Sequence, residues 1–335
     1  RAAQRSVANY SFYLGASNHN IDQIRAVDPT RVCGVKVFMG ASTGNLLVDD
    51  PKALDLIFRD SPILIATHCE DSRMIDANAE RISAQFGGDV PVEMHPLIRD
   101  VDACYASSSM AVALAKQHGS NLHVLHLTTE KELALFTAGD LADKRITAEA
   151  CVHHLWFSDR DYPEKGNRIK CNPAVKALSD RDALREAVRN DVIDVIATDH
   201  APHLLSEKNQ LYIQAPAGLP LVEHALPMLL ELYQQGVFTL EQIVQKACHN
   251  PAIRYQVAQR GFIREGYAAD LVLVDLNAEQ QVEDGSVRYK CGWTPFAGER
   301  FRARICQTFV NGVEVFDGSR VIANTGAAQA LRFSR

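Results

Sequence analysis

Residues 192–203 read VIDVIATDHAPH and join a short apolar run to a polar tail. The run is nearly continuous in valine, isoleucine and alanine, which is typical of a strand buried on both faces of a parallel sheet. Asp199 follows this strand, and a proline between His200 and His203 restricts the loop backbone. This combination favours a functional loop at the strand end, with a turn aspartate or a helix N-cap as the alternative for Asp199.

Five further apolar runs precede this one and alternate with longer amphipathic segments. The predicted strands are 9–16, 34–39, 62–69, 122–128, 145–152 and 192–199. The predicted helices between them are 51–60, 72–86, 101–118, 130–142 and 179–190, the last with Ser179 as its N-cap. This alternation predicts βαβ units and therefore an α/β fold with a parallel sheet.

The character of the sequence changes after the last of these strands. Helical patterns over 221–235 and 240–249 are followed by two predicted strand regions, 269–276 and 305–316, the second of which contains Asn311-Gly312, a strong hairpin signal. We therefore predict a (β/α) barrel catalytic domain over residues 1–258 and a small β domain with a C-terminal tail over residues 259–335.

Composition excludes several classes of protein. The 335 residues are 47% hydrophobic and 23% charged, so the chain can bury a sizeable core, and disorder is excluded. A net charge of −6 disfavours nucleic acid and anionic membranes as partners, and leaves a small molecule as the expected one. The eight cysteines form no CxxC pair, which favours reduced thiols in the cytoplasm.

Polar side chains occur at or near the ends of four predicted strands. They are Lys36, His68, His126 and Asp199. In a (β/α) barrel the C-terminal ends of the strands meet at one mouth, so side chains far apart in sequence converge there. Lys36 is the one charge in its strand. A desolvated lysine can form a carbamate that bridges two metal ions, whereas a lysine extending outward from an outer strand is the alternative.

The histidines need to be told apart. His123 and His126 differ by three positions, and because side chains alternate along a strand, we expect them to point to opposite faces. We assign His126 to the barrel mouth and His123 to a structural role. His68 has a structural alternative as a hydrogen-bonded core histidine, and we interpret Glu149, His153 and His154 as a structural polar cluster.

Two further residues could contact a substrate. The loop projects His203 toward the mouth, and the amide of Asn172 could hold a carboxylate or an imide edge. Asp199 could bind a metal ion through one oxygen and carry a proton on the other.

In this order the motifs resemble the amidohydrolase superfamily. They are GVKVFMGAST (34–43), IATHCED (65–71), HVLHLTT (123–129), RIKCNPAVK (168–176), ATDHAPH (197–203) with SEK (206–208), and GYAADL (266–271). Within the superfamily the chain is similar to the dihydroorotases of the long bacterial type. The resemblance covers nearly the whole chain and implies a TIM-like (β/α)8 metal-dependent hydrolase barrel, of which the six predicted strands are the third to the eighth.

The resemblance also implies a role for individual residues. Lys36 would be carboxylated and bridge two zinc ions, His68 and His126 would bind the more exposed ion, and Asp199 would bind the other as general base and acid. The substrate-binding residues that it implies are Asn172, His203, Ala217 and Gly218.

The activity that the resemblance implies is the interconversion of N-carbamoyl-L-aspartate and L-dihydroorotate in pyrimidine biosynthesis by a possible homodimer. Three alternatives stay open. They are an allantoinase, a hydantoinase or dihydropyrimidinase, and a non-catalytic dihydroorotase-like protein that serves as an assembly partner.

The sequence departs from the family at one motif. Members carry a His-x-His pair and then an arginine on the first barrel strand, and no His-x-His occurs among the twelve histidines. Arg1 stands where a methionine would begin a chain. We therefore expect a fragment that lacks the first two strands, and we expect this stretch alone to bind zinc poorly and to be inactive.

Overall fold

The computed structural model describes residues 1–40, 46–323 and 326–335. Six parallel strands pair in chain order, which confirms the predicted sheet. They are β1 (Leu14–Gly15), β2 (Val35–Phe38), β3 (Ile65–His68), β4 (Leu122–Val124), β5 (Ile146–Cys151) and β6 (Val195–Ala197). Each is shorter than its apolar run, and the largest difference is at 9–16, where two residues pair with β2.

The helices alternate with these strands, and the described residues include fourteen α-helices. They are α1 (Ala2–Arg5), α2 (Ile21–Arg25), α3 (Pro51–Asp60), α4 (Ser72–Phe86), α5 (His95–Ile98), α6 (Val101–His118), α7 (Glu130–Leu133), α8 (Val152–Trp156), α9 (Tyr162–Lys165), α10 (Leu178–Arg189), α11 (Leu205–Lys208), α12 (Ala225–Gln234), α13 (Leu240–Val244) and α14 (Asn250–Arg254). A π-helical turn, Gln245–His249, joins the last two.

Three of the predicted helices have the predicted bounds, and local signals mark the starts of all three and the ends of two. The Asp50, Asp71 and Asp100 side chains accept backbone N–H groups at the starts of α3, α4 and α6. Gly87 and Gly119 end α4 and α6 in the left-handed conformation, with φ of 60° and 67°. Asp-rich starts and glycine ends are readable from sequence.

Two helix predictions are wrong. The segment 130–142 folds as the single turn of α7 and a separate 3-10 turn, Leu141–Asp143, which Asp140 caps. Ser179 is not an N-cap, because α10 begins one residue earlier. Ala177 has the extended backbone of the cap position, with no side-chain cap hydrogen bond.

The C-terminal part contains the predicted antiparallel element. A three-stranded sheet has the order β11-β10-β7, in which β7 is Leu271–Asp275, β10 is Arg304–Val310 and β11 is Val313–Phe316. Asn311 and Gly312 both have positive φ, 52° and 79°, as a two-residue hairpin turn requires. A second pair joins β8 (Gln280–Gln281) to β9 (Arg300–Phe301).

The two parts of the chain are in contact. Val282, Phe296 and Phe301 belong to the same buried cluster as the valines and isoleucines of the parallel sheet. Among the described residues, none of the helices combines the length and the apolar character needed to cross a bilayer.

Candidate metal centre and substrate site

A chain of hydrogen bonds fixes two histidines at the ends of β3 and β4. His68 Nδ1 lies 3.0 Å from His126 Nε2, and His68 Nε2 lies 2.9 Å from Glu70 Oε2. The Glu70 carboxylate is fully buried and accepts a hydrogen bond of 2.5 Å from Arg99 Nη1. A carboxylate behind a histidine sets the tautomer and the direction of the ring, which is a common arrangement behind metal ligands.

The charges in this chain are set by burial and by neighbours. Burial opposes ionisation of Glu70, but Arg99 and His68 outweigh it and lower the pKa of Glu70 to about 2. Burial, with His68 and Lys36 nearby, lowers the pKa of His126 well below its usual value. His126 is therefore neutral at pH 7, which is the form that binds metal ions.

His126 and Asp199 share an unusual backbone. Each lies two residues beyond the end of its strand and has a positive φ, 39° at His126 and 50° at Asp199. This region is disfavoured for residues other than glycine, and such strain is concentrated at functional sites.

The alternation of side chains along a strand does not distinguish His123 from His126 in the structure. β4 ends at Val124, so the period of two does not extend to His126. His123 lies within the strand and contacts Thr147 Oγ1 at 2.8 Å and Glu149 Oε2 at 3.0 Å.

Lys36, His126, Glu149 and Asp199 line one cavity of about 840 Å³. The Lys36 ammonium lies 4.7 Å from the centre of the Phe38 ring. Burial lowers the pKa of Lys36, although Asp199 and Glu149 oppose the shift. Burial likewise raises the pKa of Asp199, and Lys36 and His68 oppose it. The cavity therefore holds a lysine shifted toward the neutral amine and an aspartate shifted toward the acid.

None of the four predicted substrate-binding residues lines this cavity. Asn172 Oδ1 is buried and has no hydrogen-bond partner among the described residues, so it is available to a ligand. His203 Nε2 lies 3.1 Å from Ala217 O. Gly218 has φ +136° and packs so closely that an added Cβ would lie 2.6 Å from Ala201 O.

His203 lines a second cavity, of about 450 Å³, rather than the first. His200 lines both. The structure therefore brings Lys36, His126 and Asp199 together and places His68 against His126. His203, Ala217 and Gly218 form an adjacent group.

Lys208 is an organising residue that sequence reasoning did not identify. Its side chain is 1% exposed, and Nζ donates to the carbonyl oxygens of Lys170 (3.0 Å), Pro216 (2.8 Å) and Gly218 (3.1 Å). Burial lowers the pKa of Lys208 to about 7. The signal was its place in the SEK motif. Nothing in the sequence indicated that its partners would be backbone carbonyls.

The donors at the first cavity fit a divalent metal ion. His126 Nδ1 is buried and has no partner among the residues that the structure describes, which leaves a lone pair for a ligand. Imidazole and carboxylate groups suit zinc, and a structural or catalytic zinc ion needs no thiolate. Residues 41–43 of the GVKVFMGAST motif lie outside the described residues.

Comparison with known proteins identifies the family of the chain. The model of the amidohydrolase family matches residues 66–315. The dihydroorotase of Halobacterium salinarum is 32% identical over 293 residues, which cover 87% of this chain and 66% of the relative. That of Pyrococcus furiosus is 31% identical over 292 residues, which cover 86% of this chain and 62% of the relative. The chain thus spans less than two thirds of either relative.

A solved structure gives a similar result for the fold. The L-hydantoinase (dihydropyrimidinase) of Arthrobacter aurescens superposes with a TM-score of 0.92 at 25% sequence identity. The superposition covers 99% of this chain and 75% of that one. The predicted barrel with a small C-terminal β element is confirmed.

Proposed function

The chain belongs to the amidohydrolase family, and on this premise we propose that, within the protein as its source cell makes it, the chain serves as a dihydroorotase, interconverting N-carbamoyl-L-aspartate and L-dihydroorotate. The similarity to two dihydroorotases supports this choice of cyclic amide. The observation that carries the chemistry is the convergence of Lys36, His126 and Asp199 on one cavity, with His68 against His126.

We propose that Lys36, His68, His126 and Asp199 would hold zinc ions, with Lys36 as a carboxylated ligand. Formation of a carbamate requires a neutral amine, and the desolvation of Lys36 increases the fraction of that form. When bound, such ions polarise an amide carbonyl and lower the pKa of a water molecule.

Asp199 is the proton carrier in this proposal. Its raised pKa brings the carboxyl group closer to neutral pH, where an acid–base catalyst works best. In hydrolysis the Asp199 carboxylate takes the proton of the attacking water and then delivers it to the ring nitrogen as the amide bond breaks. In the opposite direction it removes that nitrogen's proton and returns it to the departing water.

The substrate carries one or two carboxylates and an imide edge. Asn172 offers its free Oδ1 to an N–H of the ring. His203 and the backbone around Ala217 and Gly218 bind the remaining polar groups. The domain division at 258 is part of this proposal, with the barrel supplying all of these residues.

The test is a direct assay of the protein as its source cell makes it. We expect cyclisation of carbamoyl aspartate and no comparable hydrolysis of allantoin. Turnover of hydantoin or dihydropyrimidine in preference would favour the second candidate, a hydantoinase, to which the likeness of the Arthrobacter structure points. Lys36→Ala should remove activity and lower the zinc content by the amount held at this centre, and unchanged activity and zinc content would refute the carbamate.

A further inference from the structure

A second group of metal-binding side chains lies at the end of β5. Cys151 is the last residue of this strand, and His153 and His154 are in the first turn of α8. One ligand atom of each lies within 4.8 Å of the others, and the three residues are 0%, 1% and 3% exposed. Among the described residues, this is the one group of three His, Cys, Asp or Glu side chains that is this close.

Three of the four histidine ring nitrogens in this group lack hydrogen-bond partners among the described residues. Both ring nitrogens of His153, and Nδ1 of His154, are buried without a hydrogen bond to any described residue. A buried polar atom with no partner costs about 1–3 kcal/mol, so three in one place need an explanation. Burial lowers the pKa of His153 to about 3, so protonation does not relieve the cost at pH 7.

The tautomer of His154 leaves its free nitrogen ready to coordinate. His154 Nε2 lies 3.1 Å from Pro173 O, a carbonyl that can only accept, so Nε2 carries the proton. Nδ1 therefore has the lone pair. A metal-bound histidine typically donates its other N–H to a backbone carbonyl or carboxylate, as His154 does here.

We propose that Cys151, His153 and His154 form a separate site for a soft divalent cation of the zinc type. Zinc is bound by thiolate and imidazole together, with bonds of about 2.0–2.3 Å, and the three ligand atoms here lie within 4.8 Å of one another. On binding, the Cys151 thiol releases its proton to solvent, and the two neutral imidazoles each donate a lone pair.

The site has a structural consequence for the neighbouring loop. His154 contacts Pro173, which directly follows Asn172. Cys171 Sγ also contacts Pro173 O, at 3.2 Å. A cation at Cys151, His153 and His154 thus ties the end of β5 to the segment 171–173. This claim does not depend on the reaction proposed above, since none of its three ligands belongs to the first centre.

Cobalt(II) distinguishes the two centres because only one contains a thiolate. Titration of the metal-free protein with Co²⁺ should produce thiolate-to-metal charge-transfer absorption in the near ultraviolet. Cys151→Ser should abolish this band. His68→Asn, in the first centre, and Cys248→Ser, an exposed thiol, should keep it. No band in the unmodified protein, or a band that survives Cys151→Ser, would overturn the proposal.

A second measurement uses His153→Phe in the His68→Asn background, where the first centre is already damaged. With a cation at the β5 site, zinc should raise the melting temperature of the His68→Asn protein, and the added His153→Phe should remove that rise. If the nitrogens are merely unsatisfied, phenylalanine will stabilise the protein equally with and without zinc, which would also overturn the proposal.

Discussion

Two pairs of buried histidines follow strands of the same sheet, and they differ in what their ring nitrogens contact. His68 and His126 contact each other, and Glu70 with Arg99 completes a hydrogen-bonded chain behind His68. Three of the four ring nitrogens of His153 and His154 form no hydrogen bond with a described residue. All four histidines are buried, so burial alone does not indicate the role of a histidine. The first pair is oriented by the protein, whereas the second leaves its lone pairs to a ligand.

Replacing one histidine of each pair should give the largest difference in kcat between two variants. His68→Asn should lower kcat for carbamoyl aspartate cyclisation by more than about 100-fold, the upper range for residues that only orient a ligand. The His153→Phe variant should keep most of the unmodified protein's kcat, because none of Cys151, His153 and His154 lines the cavity that Lys36, His126 and Asp199 share. Steady-state kinetics on both variants checks this, and equal losses would show that the two pairs are not functionally distinct.

The hydrogen bonds behind His68 can be removed by a single substitution. Glu70→Gln should lower the free energy of unfolding by about 3–5 kcal/mol, because it leaves the Arg99 charge without its buried partner. Asp102→Asn is the matched control, since it breaks an ion pair of similar length, 2.6 Å, with an exposed lysine, Lys131. That loss should be at most about 1 kcal/mol. Urea unfolding measures both, and similar losses would contradict the role of burial.

The free energy of unfolding should fall in acid because of the buried His153. Because His153 has a folded pKa of about 3 and an unfolded value near 6.5, the unfolded chain takes up a proton first as the pH falls. Its contribution to stability is therefore complete above pH 6.5 and is lost toward pH 3, at about 1.4 kcal/mol per pH unit. In chelator, His153→Phe should reduce the pH slope of unfolding by this amount. An unchanged slope would mean that His153 has the same pKa in the folded and unfolded states, so that burial does not lower it.

The smallest expected loss of stability comes from the N-cap of the helix that follows each strand. Asp71 accepts the Met74 N–H at 3.0 Å and caps α4, whereas Cys151 makes no side-chain cap for α8. Asp71→Ala should cost about 1 kcal/mol, and Asp71→Asn should cost much less because asparagine caps equally well. Thermal unfolding of the two variants is sufficient. If both lose the same stability, the cap hydrogen bond is not the cause.

Sequence reasoning worked where the physical signals are local. The apolar runs predicted six parallel strands in the right order, and the predicted bounds of α3, α4 and α6 agree with the structure. The segment 130–142 has the apolar spacing of a helix, but the chain leaves the helix after α7, and Gly139 has φ +135°. A pattern of apolar residues shows which positions are buried and not whether the backbone between them is continuous.

The contacts of the site residues were harder to predict from the sequence. Strand-end residues such as His68 and Asp199 could be chosen because convergence follows from the fold. The partners Glu70 and Arg99 are 29 positions apart, and their pairing depends on where α5 ends relative to β3. The three free ring nitrogens of His153 and His154 also depend on packing, since sequence does not show which hydrogen bonds a buried side chain fails to make.

Lys208 restricts the motion of the loop that a ligand would contact at the mouth of the barrel. The segment 215–219 contains no helix or strand, yet a single ammonium group holds two of its carbonyls and one from Lys170. A loop anchored in this way has little conformational entropy left to lose. A ligand that contacts Ala217 and Gly218 would therefore meet a preorganised surface, and more of its contact energy would remain as affinity.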